Sequence, residues 1–152
     1  MMEINDILLV EDSQNDVELI LESLHDFNLA NRVTAVKDGI EALEYLQCSG
    51  KYKSRRRNSP AVILLDIKMP RMDGIELLRI LKQDEQLKLI PIVILTSSNE
   101  EPDLKKCYEL GANAYVVKPV KFGDFIETVK SIGIFWALLN ELPADTGDCV
   151  EK

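Results

Sequence analysis

The chain has 152 residues and a hydrophobic fraction of 46%, which is enough for one globular domain with a proper core. Its formal net charge of −8 argues against a general affinity for nucleic acid or an anionic membrane surface. No apolar run is long enough to span a bilayer, and acidic residues from Glu3 onward argue against a signal peptide. The cysteines are few and widely spaced, so we expect reduced thiols, no cysteine-bound metal and a cytoplasmic location.

Strand-like and helix-like segments alternate five times along the chain, which is typical of an α/β protein with a doubly wound parallel sheet. Short apolar runs predict strands at residues 6–10, 32–36, 61–65, 92–95 and 114–117. Caps and apolar residues at helical spacing predict helices after Ser13, after Asp38, over residues 75–81, between Pro102 and Gly111, and over residues 122–139.

Two polar segments lie outside these elements. Residues 47–60 form a loop with the basic residues Lys51, Lys53, Arg55, Arg56 and Arg57. We expect a solvated excursion there, although a basic loop is also able to dock on an acidic partner surface. Residues 141–152 are polar and acidic, and we expect a disordered tail that follows a single domain at residues 1–140.

Polar side chains follow four of the predicted strands. Glu11 and Asp12 follow the first strand, and Asp66 follows the third. Thr96 follows the fourth strand, and Lys118 follows the fifth. Each residue alone is an ordinary strand-end residue, but parallel strands would bring all of them to one edge of the sheet. Open α/β folds bind their ligands at that edge, so the joint placement predicts one shared site.

This constellation resembles the receiver domain of two-component response regulators, over roughly residues 4–139. The matching motifs are Glu11-Asp12, Asp66, Met69-Pro70 with Asp73-Gly74, Thr96-Ser97 and Lys118-Pro119. The basic loop, the run at residues 111–120 and the aromatic end of the last helix resemble the single-domain regulators of phytochrome-class histidine kinases. The resemblance implies a flavodoxin-like fold with five parallel strands in the order 2-1-3-4-5 and five helices.

The three acids indicate a metal site. Crowded carboxylates repel each other, and a divalent cation removes that repulsion. Oxygen ligands without histidine or cysteine suit Mg²⁺. We assign Asp12 and Asp66 as direct ligands. The resemblance adds the backbone carbonyl of Lys68 and places Glu11 around the metal through a water molecule.

The resemblance also implies the chemistry of the site. Asp66 accepts a phosphoryl group from a sensor histidine kinase, while Lys118 and Thr96 contact the phosphoryl oxygens. Tyr115 forms a switch with Thr96, and its ring is expected on the strand flank away from the core helices. The bond between Lys118 and Pro119 is expected to be cis, and Lys118 is expected to be surface-like.

The sequence therefore predicts a phosphoacceptor that signals by protein–protein interaction and has no enzymatic activity beyond self-phosphorylation and autodephosphorylation. The alternative is a Mg²⁺-dependent phosphohydrolase with an aspartyl-phosphate intermediate. Such enzymes usually carry a second acid two residues after the nucleophile, where this chain has Lys68. A nucleotide-binding Rossmann protein is disfavoured because no glycine-rich loop follows the first strand. A degenerate receiver is disfavoured because no residue of the site is missing.

The last predicted helix carries more apolar surface than a core requires. A core-facing stripe is formed by Phe122, Phe125, Ile126, Val129, Ile132, Trp136 and Leu139. Ile134, Phe135 and Leu138 widen it, which suggests a partner surface. Regulators of the resembled subgroup commonly pair through this face, so we expect a homodimer through helices 4 and 5 and strand 5. A tail that folds back around Leu142 is the alternative.

Overall fold

The computed structural model describes residues 6–25, 29–55 and 58–142 of the chain. Over these ranges five strands alternate with five helices, as predicted. The strands are β1 (Ile7–Val10), β2 (Val33–Val36), β3 (Val62–Leu65), β4 (Ile92–Thr96) and β5 (Ala114–Val117). The helices are α1 (Gln14–His25), α2 (Gly39–Gln47), α3 (Gly74–Gln83), α4 (Glu101–Leu110) and α5 (Phe122–Gly133). The expectations for Arg56, Arg57 and the tail from residue 143 onward concern positions outside the described residues.

The five strands form one parallel sheet in the order β2-β1-β3-β4-β5. This order confirms the predicted flavodoxin-like fold. Val10 lies beside both Val36 and Leu65, and Leu65 lies beside Ile94. The strands therefore end together, and the residues that follow them are neighbours at what we call the carboxyl edge of the sheet.

Both faces of the sheet are buried under helices. On one face, alternate strand residues such as Leu8 and Val10 pack against α2, α3 and α4. On the other face, their neighbours such as Ile7 and Leu9 pack against α1 and α5. Burial on two sides explains why β1, β3 and β4 are continuous apolar runs rather than alternating ones.

Side-chain caps determine where several helices begin. Ser13 Oγ accepts a hydrogen bond from the backbone N–H of Asp16 at 3.3 Å, which confirms the predicted cap of α1. Asp38 and Asp73 cap α2 and α3 in the same way, each accepting from a backbone N–H at 2.9 Å. Because Asp73 is the cap, α3 begins at Gly74 and is longer than the predicted stretch.

The predicted last helix consists of two segments. The α-helical part, α5, ends at Gly133, and a π-helical segment at Ile134–Leu139 continues it. Helical backbone therefore extends through Leu139, as predicted, but its last turns are wider than those of an α-helix. None of the described helices combines the length and the apolar character that crossing a membrane requires.

The basic loop is anchored to α2. A helical turn at residues 50–52 places the ring of Tyr52 edge-on against Tyr45, with ring centroids 5.2 Å apart. The Tyr52 hydroxyl donates to Glu41 at 2.8 Å, and the Arg55 guanidinium lies 3.9 Å over the Tyr45 ring. The loop is mostly exposed, as expected of a solvated excursion, but two of its described side chains, Tyr52 and Arg55, are half-buried. Aromatic and carboxylate partners on α2 hold it, which its polar composition did not reveal.

Two covalent details also differ from expectation. Among the described residues no peptide bond is cis, so the bond between Lys118 and Pro119 is trans. Trans is the form that X–Pro bonds favour by roughly 0.5–1 kcal/mol. Cys48 is disulfide-bonded, which corrects the expectation of reduced thiols, whereas Cys107 is a buried free thiol. The spacing of cysteines in a sequence does not determine which of them approach each other in space.

Candidate functional site at the carboxyl edge of the sheet

Three acidic side chains meet at the carboxyl edge. Glu11 and Asp12 follow β1, Asp66 follows β3, and one carboxylate oxygen of each lies within 4.8 Å of the others. Glu11 and Asp66 are buried, whereas Asp12 is exposed. The register that aligns Val10 with Leu65 produces this arrangement, because these acids directly follow the two paired strand ends. The structure thus brings together the three acids that the sequence grouped.

Asp66 is held in place by main-chain contacts. Its backbone N–H donates to the carbonyl of Val10 at 3.1 Å, and its Oδ1 accepts from the N–H of Ile67 at 2.8 Å. The other oxygen, Oδ2, lies 3.7 Å from Nζ of Lys118. One oxygen of Asp66 is therefore oriented by the backbone, while the other faces an amine.

The Asp73-Gly74 motif has a steric role beside Asp66. The N–H of Gly74 donates to the carbonyl of Ile67 at 2.9 Å, which folds the loop after β3 back into α3. A β-carbon at position 74 would overlap the carbonyl oxygen of Asp66. Glycine is required here because the backbone of the loop passes so close to the helix start.

Lys118 reaches the acids from the end of β5. Its Nζ lies 2.6 Å from Oε1 of Glu11 and 2.7 Å from Oδ2 of Asp16, and its side chain is only 9% exposed. Burial alone would lower the pKa of Lys118, but the hydrogen bonds with Asp16 and Glu11 raise it above its ordinary value. The expectation of a surface-like lysine is therefore wrong. The amine is a buried cation held by carboxylates.

Glu11 shows the excess of negative charge at this edge. Burial raises the pKa of Glu11 to about 7; the hydrogen bond from Lys118 opposes the rise and the charge of Asp66 adds to it. A bound cation would relieve this repulsion. The donors are carboxylate oxygens without sulfur or imidazole, so the residues present fit a hard divalent ion such as Mg²⁺. Lys68 lies in the loop two residues after Asp66, and the role of its backbone carbonyl as a ligand stays a prediction.

Thr96 and Tyr115 are connected through Ser98. Thr96 is fully buried at the end of β4, and its Oγ1 accepts from the N–H of Ser98 at 3.3 Å. The Tyr115 hydroxyl donates to the carbonyl of Ser98 at 2.8 Å. The Tyr115 ring packs, half-buried, against the core beneath α2, α3 and α4, so the expectation that it lies away from these helices is wrong. Ser98 therefore connects Thr96 with Tyr115, and the coupling of these two residues as a switch stays a prediction.

Sequence reasoning missed two interactions near the site. Asp16 lies in the first turn of α1 and binds Lys118, a contact that the sequence did not indicate. Asp38 was assigned to the start of α2, yet it pairs with Arg71 of the β3–α3 loop through hydrogen bonds of 2.7 and 3.0 Å. No local signal was available for either contact, because each joins residues that are far apart in the sequence.

A five-stranded parallel sheet with three acids, a threonine and a lysine at its carboxyl edge defines a receiver-type α/β domain. A family model described as the response regulator receiver domain matches residues 7–130. The chain belongs to this family, and its role is that of a phosphoacceptor in signal transduction. The resemblance inferred from the sequence motifs is thereby confirmed.

Several known proteins are similar to this chain. Response regulator Rcp1 of Synechocystis sp. is 40% identical over 138 residues, which cover 91% of this chain and 92% of Rcp1. The structure of the phosphorylated cyanobacterial phytochrome response regulator RcpA gives a TM-score of 0.86 at 38% identity, covering 93% of this chain and 100% of RcpA. The chain is therefore similar to response regulators, one of which is named as a phytochrome response regulator.

Metal-bound structures are among these relatives. The Mn²⁺-bound form of Rcp1 gives a TM-score of 0.84 at 38% identity and covers 92% of this chain and 99% of Rcp1. The receiver domain of the sensor histidine kinase PA1611 from Pseudomonas aeruginosa carries a magnesium ion in its active-site cleft. That domain gives a TM-score of 0.67 at 29% identity, covering 88% of this chain and 98% of that one.

Proposed function

We propose that Asp66 is the phosphoacceptor of this receiver and that its phosphorylation controls binding to partner proteins. The observation that carries this proposal is the setting of Asp66, whose Oδ2 faces the Lys118 amine at 3.7 Å beside Glu11 and Asp12. In the reaction, a carboxylate oxygen of Asp66 bonds to phosphorus while the phosphorus–nitrogen bond of a phosphohistidine breaks. The bonding electron pair stays on the histidine nitrogen.

Mg²⁺ is the proposed cofactor, because the donor set consists of oxygens and the relatives include Mn²⁺- and Mg²⁺-bound structures. Asp12 and Asp66 would hold it directly, with the Lys68 carbonyl and, through water, Glu11. When bound, the ion offsets the charge of the transferring phosphoryl group. Asp66 itself is oriented for attack by the N–H of Ile67, which donates to Oδ1 at 2.8 Å.

Lys118 and Thr96 are the proposed contacts of the phosphoryl oxygens. Lys118 supplies a fixed positive charge, and Thr96 supplies a hydroxyl donor. Drawing Thr96 toward the phosphoryl group would leave space at the end of β4, and the Tyr115 ring would turn into it. The contact of both residues with Ser98 supports this coupling.

Phosphorylation with acetyl phosphate tests the assignment of Asp66. Wild-type protein should acquire one phosphoryl group in the presence of Mg²⁺ and none in EDTA, with the adduct located on Asp66 by mass spectrometry. Asp66→Asn should abolish labelling because the amide is not a comparable nucleophile. Asp124→Asn, an exposed change in the first turn of α5, is the control and should label normally. Undiminished labelling of Asp66→Asn would refute the assignment.

We propose no activity beyond self-phosphorylation and autodephosphorylation. A phosphohydrolase would need a general acid near the nucleophile, and the position two residues after Asp66 holds the exposed Lys68. Turnover of a chromogenic phosphate ester would support the phosphohydrolase instead.

The proposed kinase partner is a phytochrome-class sensor histidine kinase. The support is the similarity to RcpA and Rcp1, of which the first is named as a phytochrome response regulator. Phosphotransfer profiling against the histidine kinases of the same genome tests this choice. Fastest transfer from a kinase without a phytochrome sensor would contradict it.

We further propose a homodimer built on α4, α5 and β5. Exposed apolar side chains on these elements and the segments that follow them support it, namely Tyr108, Val117, Phe122, Phe135 and Leu139. The expectation that Phe122 and Leu139 face the core is wrong, because both are exposed. Of the three residues expected to widen the surface, only Phe135 is exposed. Leu138, in the π-helical segment, packs half-buried against the core.

A cytoplasmic location, one domain over residues 1–140, and no binding to nucleic acid or membrane remain parts of the proposal. The net charge of −8 supports the absence of affinity for anionic polymers and lipids. The disulfide at Cys48 is the observation that stands against a reducing compartment. Thiol trapping in fractionated cell extracts decides between the two.

A further inference from the structure

Asp16 and Lys118 form an ion pair that joins α1 to the end of β5. Oδ2 of Asp16 lies 2.7 Å from Nζ of Lys118. The lysine side chain is 9% exposed and the Asp16 side chain 31% exposed, so the pair is shielded on one side from water. Such shielding makes this contact stronger than a pair on the open surface.

The amine of Lys118 is engaged by carboxylates other than the one on Asp66. An ammonium group donates three hydrogen bonds, and Glu11 at 2.6 Å and Asp16 at 2.7 Å accept two of them. Asp66 Oδ2 lies at 3.7 Å, beyond hydrogen-bond distance. In this structure the amine is therefore bound at the α1 side of the site.

We propose that Asp16 is a positioning residue that holds the Lys118 amine back from Asp66 until a phosphoryl group competes for it. The proposal rests on the proposed role of Lys118 as a phosphoryl contact. A phosphoryl group on Asp66 presents strong acceptor oxygens to the amine. The third donor of the amine is open to such an oxygen, but the contact with Asp16 opposes a movement of the amine toward it. Removal of the Asp16 carboxylate therefore removes a competitor for Lys118 and favours the phosphoryl-bound state.

The alternative role of Asp16 is to stabilise α1. It lies in the first turn, where a carboxylate interacts favourably with the helix macrodipole. That role predicts a small loss of stability and no change in the affinity of the site for a phosphoryl-like anion. The two roles are therefore separated by a binding measurement.

Beryllofluoride, a phosphoryl mimic, provides that measurement. With saturating Mg²⁺, Asp16→Asn should bind beryllofluoride about threefold to tenfold more tightly than wild type, as expected for loss of one partly shielded ion pair. Glu18→Gln makes the same charge change at an exposed position of α1 and should stay within about twofold of wild type. Equal effects of the two variants, or no effect of Asp16→Asn, would overturn the proposal.

A second measurement needs neither metal nor phosphoryl group. In EDTA, thermal midpoints of Asp16→Asn, Lys118→Met and the double variant form a mutant cycle. We expect non-additive shifts, because Lys118→Met already removes the partner of Asp16. Additive shifts would show that the Asp16 and Lys118 side chains do not interact, and would overturn the proposal. Failure of wild-type protein to bind beryllofluoride would instead count against the proposed function, and the cycle would then decide on Asp16 alone.

Discussion

Glu11 is almost fully buried at the carboxyl edge, and this burial changes its protonation. Burial raises its pKa, and the hydrogen bonds from Lys118 and from the backbone of Ser13 only partly oppose this. The carboxyl edge thus holds an acid that is partly protonated near neutral pH in the absence of metal. A cation bound there would keep Glu11 ionised.

The pH dependence of stability follows from this shift. With a pKa of about 7 in the folded protein against 4.5 ordinarily, Glu11 binds its proton more tightly when folded. Its stabilising contribution is complete below the ordinary value and is lost as pH rises through about 7. In EDTA we expect the free energy of unfolding to fall by about 1–3 kcal/mol between pH 5 and 8 on this account. Urea unfolding of wild type and Glu11→Gln checks this, and an equal slope in both would contradict it.

At the scale of elements, the loop that carries Asp66 is tied to the start of α2. Asp38 is buried and binds Arg71, which adopts a left-handed backbone conformation with φ of 63°. The N–H of Gly39 also donates to the carbonyl of Met72 at 3.1 Å. A left-handed arginine is uncommon and is retained where surrounding contacts compensate. The β3–α3 loop is therefore clamped from α2 as well as from α3.

We expect Asp38→Ala to lower the free energy of unfolding by about 2–4 kcal/mol, because it removes both the cap of α2 and the partner of Arg71. Asp73→Ala is the matched control. It removes a cap of the same 2.9 Å length from α3 at an exposed residue and should cost about 1 kcal/mol. Equal losses in the two variants, measured by urea unfolding, would show that the pair with Arg71 contributes nothing.

The sequence predicted the elements well because each element is a local pattern. Continuous apolar runs marked the strands, and Ser13 marked the first helix cap, which the structure confirms. The contacts that were missed join distant parts of the chain. Nothing local to Arg71 indicates Asp38, and nothing local to Lys118 indicates Asp16. The packing of Tyr52 in the basic loop was missed because its partners lie on another element, α2.

At the scale of the whole molecule, apolar side chains remain exposed on α5 and on the π-helical segment that follows it. Phe122 is 62% exposed, and Phe135 and Leu139 are 49% and 56% exposed. The Phe135 ring packs edge-on against the Trp136 ring, with ring centroids 5.0 Å apart, so the two rings form one aromatic cluster. A surface of this kind on a small domain is characteristic of a protein interface.

Light scattering after size exclusion tests the dimer. Wild-type protein should elute as a dimer at about tens of micromolar, a range typical of modest interfaces. Phe135→Asp combined with Leu139→Asp should give monomers that still accept phosphoryl at Asp66. Leu89→Asp is the control, because Leu89 is as exposed as Leu139, at 56%, but lies in the turn before β4. A monomeric wild type, with and without beryllofluoride, would refute the proposal.

The hydrogen bond of 2.8 Å from the Tyr115 hydroxyl to the carbonyl of Ser98 stabilises the ring position seen in this structure. An inward turn of the ring breaks this bond, and a bond of this type contributes about 1 kcal/mol. In the proposed switch, this bond alone would bias the resting equilibrium roughly fivefold toward the outward ring before any ligand binds. A bias of that size is small enough for one covalent modification to reverse. It still leaves roughly one molecule in six with the ring inward in an unmodified population.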